Sequence, residues 1–581
     1  MCSDRFINTV PLSLSSVRRR VEDFLAENGL RYAPMDTYVT VSEDEEGDRI
    51  LAGGGLEGNL IKCVAVSGAA RSEGLTAKLV SALLTLARER GYDSVRLFTK
   101  PENRSIFASL GFRLLGSSDA AILMETGADA LRDYERYLSS LKGEGSAGVI
   151  VMNANPFTRG HRYLVEQAAS QVDRLYVIAV KEDRSLFPSG ERLAMIRSGC
   201  AGIDNVTVCR GSDYAVSAAT FPTYFLKKAD DATLAYMDLD LDIFAAHIAP
   251  ALGAKRRFAG SEPQDALTRL YNSRMASLLP ARGVEFIEIP RLVQGGEAVS
   301  ASRLRAALDG GDFAAAARMA YPTTIPHLLS HLAEKALREE LDTTPKPGLV
   351  DREDSGAHSD MDYALMSRGI AALRPFFTEL ALEGWKKGLD AESVRSIGIS
   401  AEKAMLEATG GVNTHKGALF CIGLALSAAA SVLGSGEVLG EDNLRRGISL
   451  LASGIPQAEG THGANVRRSY RVGGALDCAM RGYPALFGDW LPYYRSLRGD
   501  SYRNHRTLLR IMSSLDDTNI LHRTSAQTLA RVKEVSAELC GNFSVGALRE
   551  LNRKFISENI SPGGSADMLS LTIFITDIIN Q

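Results

Sequence analysis

The hydrophobic spacing of this chain changes once, near Ile325, and no single sheet or bundle satisfies both sides of the change. Before it, short β-branched runs alternate with helical repeats: residues 60–67 then 77–90, and residues 149–152 then 162–172. After it, residues 331–341, 363–373, 393–408, 419–433, 443–452, 527–539 and 566–579 keep helical spacing, with no strand ladder between them. The pattern therefore predicts a multidomain protein, α/β to about residue 325 and all-α beyond it. At 581 residues the chain exceeds one core, and roughly 100 to 200 residues per domain gives three or four domains. The boundaries read as 1–141, a Gly/Ser-containing linker at 142–148, 149–325 and 326–581.

Charge and cysteine content narrow the function. A formal net charge of -4 makes no electrostatic case for nucleic acid, which is normally met by a basic patch or stripe. The seven cysteines are scattered without Cys-x-x-Cys or zinc-like spacing, which reads as a reducing cytoplasm. The N-terminus has no apolar h-region, and residues 420–434 fall short of the roughly 20 needed to span a bilayer, so no membrane role is expected.

The stretch from Val149 to His161 carries the first chemistry. An apolar strand ends in Asn153-Ala154-Asn155-Pro156-Phe157-Thr158-Arg159-Gly160-His161, and a helix is expected from Arg162 with Leu164, Val165, Ala168, Ala169 and Val172 on one face. A tight turn between strand and helix points free N–H groups and the helix dipole at phosphate. Further strands at 175–180, 205–209, 257–260 and 284–289 imply a parallel, Rossmann-like sheet with sites at the strand carboxyl ends. Lys181, Asp238, Asp240 and Glu262 are expected after those strands or in loops.

Thr158-Arg159-Gly160-His161 resembles the His/Thr-x-Gly-His signature of the nucleotidyltransferase superfamily, and Val299-Ser300-Ala301-Ser302-Arg303-Leu304-Arg305 resembles its second signature. The resemblance implies attack on the α-phosphate of ATP, with His161 and Arg305 as preplaced donors to developing charge. Asn155, Phe157, Thr158, Gly160, Ser300 and Ser302 complete the expected ATP contacts, with Mg²⁺ on the triphosphate. Upstream, strand 60–67, the loop Arg71-Ser72-Glu73-Gly74-Leu75-Thr76 and helix 77–90 resemble a GNAT-type acetyltransferase. That family has a small residue where Thr76 stands. The resemblance implies that Arg71 and Gly74 grip the pyrophosphate of a CoA-like arm.

Together, residues 1–325 resemble citrate lyase ligase. This implies that acetate and ATP give acetyl-AMP and pyrophosphate, and that the thiol of the citrate lyase prosthetic group on its acyl carrier subunit then takes the acetyl group. Two rivals stay open: adenylation of a phosphopantetheine-like substrate, or a non-catalytic half that docks the acyl carrier.

In the helical region the chemistry sits in loops. Thr344-Pro345-Lys346-Pro347-Gly348-Leu349-Val350-Asp351 leads to Asp354, His358, Asp360 and Asp362; then come Asn413-Thr414-His415-Lys416-Gly417, Glu459 with Thr461-His462-Gly463, Asp516-Asp517-Thr518-Asn519 with Arg523, and Ser561 to Asp567 including Gly563 and Gly564. Carboxylates beside His and Lys in Gly-bearing loops suit Mg²⁺ and triphosphate. Asp360, Asp362, Asp517 and Asp567 are the metal candidates, and His415 and Asp517 the catalytic ones. Lys346, Asn413, Thr414, His415, Lys416, Gly417, Gly563 and Gly564 are the ATP candidates. Residues 326–581 resemble triphosphoribosyl-dephospho-CoA synthase, which implies transfer of the triphosphoribosyl part of ATP to the 2′-hydroxyl of 3′-dephospho-CoA with release of adenine.

Overall fold

The computed structural model describes residues 5–43, 49–71, 73–181, 185–214, 229–262, 265–456 and 474–579. The chain divides into two compact units, Met1–Val299 and Ser300–Gln581. The first is α/β with a mixed and a parallel sheet, and the second is helical.

The first sheet contains β1 (Phe6–Val10), β2 (Thr37–Ser42), β3 (Ile50–Glu57), β4 (Leu60–Val66), β5 (Ser94–Thr99), β6 (Arg113–Ser117) and β7 (Ile122–Gly127), in the order β1-β2-β3-β4-β5-β7-β6. Every pairing is antiparallel except β4 with β5, where the connection passes through the helix Leu75–Glu89. That parallel pairing covers only Leu60 with Arg96 and Ile61 with Leu97, so the two strands part beyond it.

The second sheet contains β8 (Ala147–Met152), β9 (Arg174–Ala179), β10 (Val206–Cys209), β11 (Arg256–Gly260) and β12 (Glu285–Ile289). All are parallel, in the order β10-β9-β8-β11-β12. The order turns back at β8, and in open parallel sheets ligands bind at the carboxyl end of such a switch. One hydrophobic core joins the two sheets, with Leu115 and Leu123 packed among Val149, Tyr176, Leu239 and Ile243. The segment 142–148 is tethered to it: the Gly143 N–H donates to the Tyr176 hydroxyl at 2.9 Å and the Ser146 N–H to Asp173 at 2.8 Å.

Asp238 and Asp240 depart from expectation, because both lie inside the helix Ala229–Ile243. Leu239, Leu241 and Ile243 alternate with acids in a pattern that mimics a strand end. The acids are satisfied by cations instead: Asp238 pairs with Arg274, Asp240 accepts from Tyr271 and faces Arg257, and Asp242 pairs with Arg282.

The second unit is organised around the helix Lys416–Gly434, an unbroken run of small and apolar residues. The helices Tyr363–Lys387, Glu441–Ser453 and Gly563–Ile578 pack on it. Backbones approach closely where glycine allows: a Cβ on Gly384 would lie 2.3 Å from the Ser427 carbonyl oxygen. Among the described residues Lys416–Gly434 is the one helix long and apolar enough to cross a membrane, yet 72% of its apolar window is buried inside the protein.

Candidate active sites

At the carboxyl end of β8 the chain turns through Asn153–Phe157 and enters the helix Arg159–Ala169. The helix opens three residues before Arg162 because Thr158 caps it. The Thr158 hydroxyl oxygen accepts from the His161 N–H at 3.3 Å, while the Thr158 N–H donates to His161 Nδ1 at 3.0 Å. This reciprocal pairing satisfies orphan donors at the helix start. An accepting Nδ1 leaves the ring proton on Nε2. Burial, and then the Arg291 guanidinium, hold the His161 pKa down to about 4, so the ring is neutral at physiological pH.

The turn is braced from below. Phe157 is wholly buried and stacks with His161 at 5.5 Å between centroids. Gly199 makes room for it, since a Cβ there would stand 2.3 Å from the Phe157 ring. A Cβ on Gly160 would lie 2.8 Å from the Val299 carbonyl oxygen, so glycine lets the turn close on the residue that leads into the second motif. The buried Asn155 side chain accepts from the Phe187 N–H at 3.2 Å. Beyond Val299, Ser300 caps the helix Ala301–Asp309, accepting from the Arg303 N–H at 3.2 Å, and its hydroxyl lies 3.1 Å from that of Ser302. Ser302 is exposed and Arg305 half-buried.

In the first sheet's domain, Gly74 takes a left-handed φ of 68° just before the helix Leu75–Glu89, and Arg71 is exposed. Ser72 lies outside the described residues, as does the loop holding Glu459 and His462.

In the second unit a cavity of about 760 Å³ gathers Lys346, Asn413, Thr414, His415, Lys416, Gly417, Asp517, Gly563, Gly564 and Asp567 from loops far apart in sequence. Asp517 ties two of them together. Its carboxylate accepts from the N–H groups of Asn519 (3.0 Å), Gly564 (3.3 Å) and Ser565 (2.8 Å) and from the Ser565 hydroxyl (2.9 Å). Burial pushes its pKa up while these donors oppose the shift. One carboxylate thus serves the starts of two helices, Thr518–Arg523 and Gly563–Ile578.

Asp567 faces Gly417 at the start of the helix Lys416–Gly434, where a Cβ would lie 1.9 Å from its Oδ2. Burial, then the Asp517 and Glu340 carboxylates, push its pKa well above the usual range. Lys346 is almost wholly buried and paired with Glu340. His415 is 4% exposed, and neither ring nitrogen has a hydrogen-bond partner among the described residues. Burial, and then Lys346, hold its pKa down to about 3. The Thr414 hydroxyl is likewise buried and has no partner among the described residues. Lys416 pairs with Glu402, and the Asn413 side chain accepts from the Lys416 N–H at 3.1 Å.

Asp360 and Asp362 do not line the cavity. The Asp360 side chain is 60% exposed, 3.8 Å from His358, and Asp362 caps the helix Tyr363–Lys387 by accepting from Leu365 at 2.7 Å. Among the described residues no three His, Cys, Asp or Glu side chains come together as a metal site.

Comparison with known proteins also divides the chain in two. Residues 147–328 match the citrate lyase ligase C-terminal domain, and residues 326–581 match the ATP:dephospho-CoA triphosphoribosyl transferase family. A [citrate [pro-3S]-lyase] ligase of Klebsiella pneumoniae is 42% identical over 55% of this chain and 94% of its own length. The Escherichia coli protein of that name is 40% identical over 55% and 92%. A 2-(5″-triphosphoribosyl)-3′-dephosphocoenzyme-A synthase of Klebsiella pneumoniae is 34% identical over 42% of this chain and 93% of its own length. The chain belongs to both families, as a fusion of the two.

Several residues that shape these sites are not evident from motif reading. In the citrate lyase ligase part, Arg192 is wholly buried and donates to the carbonyls of Asn153 (2.9 Å), Val180 (2.9 Å) and Phe187 (3.0 Å). Its signal is helical spacing, because Arg192 shares a buried face with Met195, Ile196 and Gly199. Arg291, just after β12, donates to the Ser261 carbonyl at 2.6 Å and pairs with Glu262. In the synthase part, Glu340 and Tyr483 line the cavity from a helix interior and a helix end, where no loop motif marks them.

Proposed function

We propose that the chain carries out two ATP-dependent reactions at separate sites. In the first, acetate attacks the α-phosphate of ATP to give acetyl-AMP and pyrophosphate. The thiol of the citrate lyase prosthetic group, borne on its acyl carrier subunit, then takes the acetyl group and AMP leaves. In the second, the 2′-hydroxyl of 3′-dephospho-CoA takes the triphosphoribosyl part of ATP and adenine leaves. The observation that carries this reading is similarity along 94% and 93% of a named relative of each kind.

The site geometry supports the residue roles. His161 Nε2–H, with Nδ1 held by Thr158, suits a hydrogen-bond donor to the phosphoryl oxygens as charge builds there. The resemblance of the second motif assigns further donors to Ser300, Ser302 and Arg305, while Asn155 and Gly160 shape the ATP-binding turn and Phe157 holds His161 from beneath. A Rossmann-like nucleotidyltransferase domain over 149–325 and a GNAT-like domain over 1–141, joined by 142–148, complete this half. Arg71 and Gly74 would receive the CoA-like arm of the carrier.

In the second half, over 326–581, Lys346, Lys416 and Asn413 suit the triphosphate, and His415 with Thr414 offers unspent hydrogen bonds to substrate. Mg²⁺ would arrive with ATP and neutralise phosphate charge. With Asp517 saturated by its four donors, Asp567 is the carboxylate in the cavity best able to meet it. The six described cysteines are free thiols, which supports a cytoplasmic setting.

Product analysis tests the reading directly. ATP with acetate and the prosthetic-group thiol should yield AMP and pyrophosphate, and ATP with dephospho-CoA should yield adenine. Pyrophosphate release that responds to a pantetheine phosphate and not to acetate would overturn the first assignment.

A further inference from the structure

Tyr483 is 3% exposed and lines the second cavity, and its hydroxyl has no hydrogen-bond partner among the described residues. A buried phenol normally finds a partner, because stripping water from an unpaired hydroxyl is unfavourable. Its backbone is unusual as well. The helix Ala475–Met480 ends with the Gly482 N–H on the Ala479 carbonyl and the Tyr483 N–H on the Cys478 carbonyl, each at 2.8 Å. Gly482 then takes φ 67°, as glycine readily does, but Tyr483 follows at φ 48°. A bulky side chain rarely occupies that left-handed region, and such outliers concentrate where a ligand is held.

The surroundings indicate what kind of ligand. The groups that act electrostatically on the phenol are Cys421, Cys478 and Asp567, none of them a cation that could hold phosphate directly. Phe420, Leu476 and Met568 add apolar surface to the same cavity. Its lysines and Arg523 are engaged elsewhere, Lys346 with Glu340, Lys416 with Glu402 and Arg523 with the Ala357 carbonyl at 3.1 Å. A neutral, unpartnered phenol hydroxyl bordered by these apolar side chains matches a flat, uncharged heterocycle.

We propose that Tyr483 hydrogen-bonds the adenine ring of a nucleotide bound in this cavity. The inference rests on the synthase reading, in which both ATP and dephospho-CoA carry adenine. Calorimetric titration of the full-length protein and its Tyr483→Phe variant tests it, using ATP and dephospho-CoA beside their base-free counterparts, ribose 5-triphosphate and 4′-phosphopantetheine. The variant should bind one adenine-bearing ligand about tenfold more weakly, as the loss of one buried hydrogen bond implies, and its base-free counterpart unchanged. Whichever ligand weakens identifies the source of the base. Unchanged affinities, or equal weakening with and without the base, would overturn the proposal. So would a lowered melting temperature in the variant, since that would mean the hydroxyl serves the fold. Binding is read without turnover, so a wild-type protein that binds normally but releases no adenine would count against the synthase reading alone.

Discussion

His161 and His415 are both kept neutral, by burial first and by a nearby cation second, Arg291 in one case and Lys346 in the other. Their folded pKa values, about 4 and about 3, lie below the ordinary 6.5. As pH falls below 6.5 the unfolded chain therefore takes up protons that the folded chain refuses. Each histidine removes about 1.4 kcal/mol of stability per pH unit until the folded ring itself titrates. Urea unfolding should show a lower midpoint at pH 5.5 than at pH 7, and His415→Asn should flatten that dependence. An equally steep dependence in the variant would mean that His415 is not held neutral. In activity, His161→Ala should cut acetate-dependent pyrophosphate formation by about two to three powers of ten, the usual cost of one preplaced donor, with adenine release intact. His161 was legible because its neighbours form a spaced signature. Arg192 and Tyr483 were not, since each looks like an ordinary member of a helix or its end until the fold shows what surrounds it.

At the scale of elements, helix starts carry the sites. Asp517 holds two of them at once, so Asp517→Asn should do more than weaken one cap. An amide replaces one acceptor oxygen with a donor, facing N–H groups that then lose their partner. The expected loss is about 2 to 3 kcal/mol in urea unfolding, together with adenine release. A change below about 0.5 kcal/mol would refute the shared-cap account. Gly417→Ala is the local counterpart. Its methyl group would enter the space of the Asp567 carboxylate, and a displacement of about an ångström typically costs a hundredfold in rate. Adenine release should fall by about that factor while acetate-dependent pyrophosphate release stays unchanged. Element types were largely readable, but their edges were less so. Hydrophobic periodicity begins at Leu164, whereas the helix begins where Thr158 can cap it. The acidic alternation around Asp240 reads as a strand end because spacing cannot reveal that Arg257, Arg274 and Arg282 wait to pair with those acids.

For the whole molecule, the two reactions release different products and can be silenced one at a time. His161→Ala and His415→Ala should each silence one product, AMP or adenine, and the double variant should show each loss at its single-variant size, as expected for independent sites. A His415→Ala protein that also loses acetate-dependent pyrophosphate would contradict this separation. The change of pattern near Ile325 shows in the sequence, yet the compact units part after Val299. The helices Ala301–Asp309 and Phe313–Met319 account for the difference. They are amphipathic in either setting, and only the fold shows Phe313–Met319 packing on Gly563–Ile578.

The double cap made by Asp517 also bears on how the protein is born. The cavity is walled by residues from Glu340 to Ser570, and one of its loops is fastened only when Gly564 and Ser565 reach Asp517. A ribosome adding about 5 to 20 residues each second will have released the whole first unit many seconds before that contact can form. A nascent chain paused in this interval would hold a complete first unit while the second still lacked the contact that fastens its cavity.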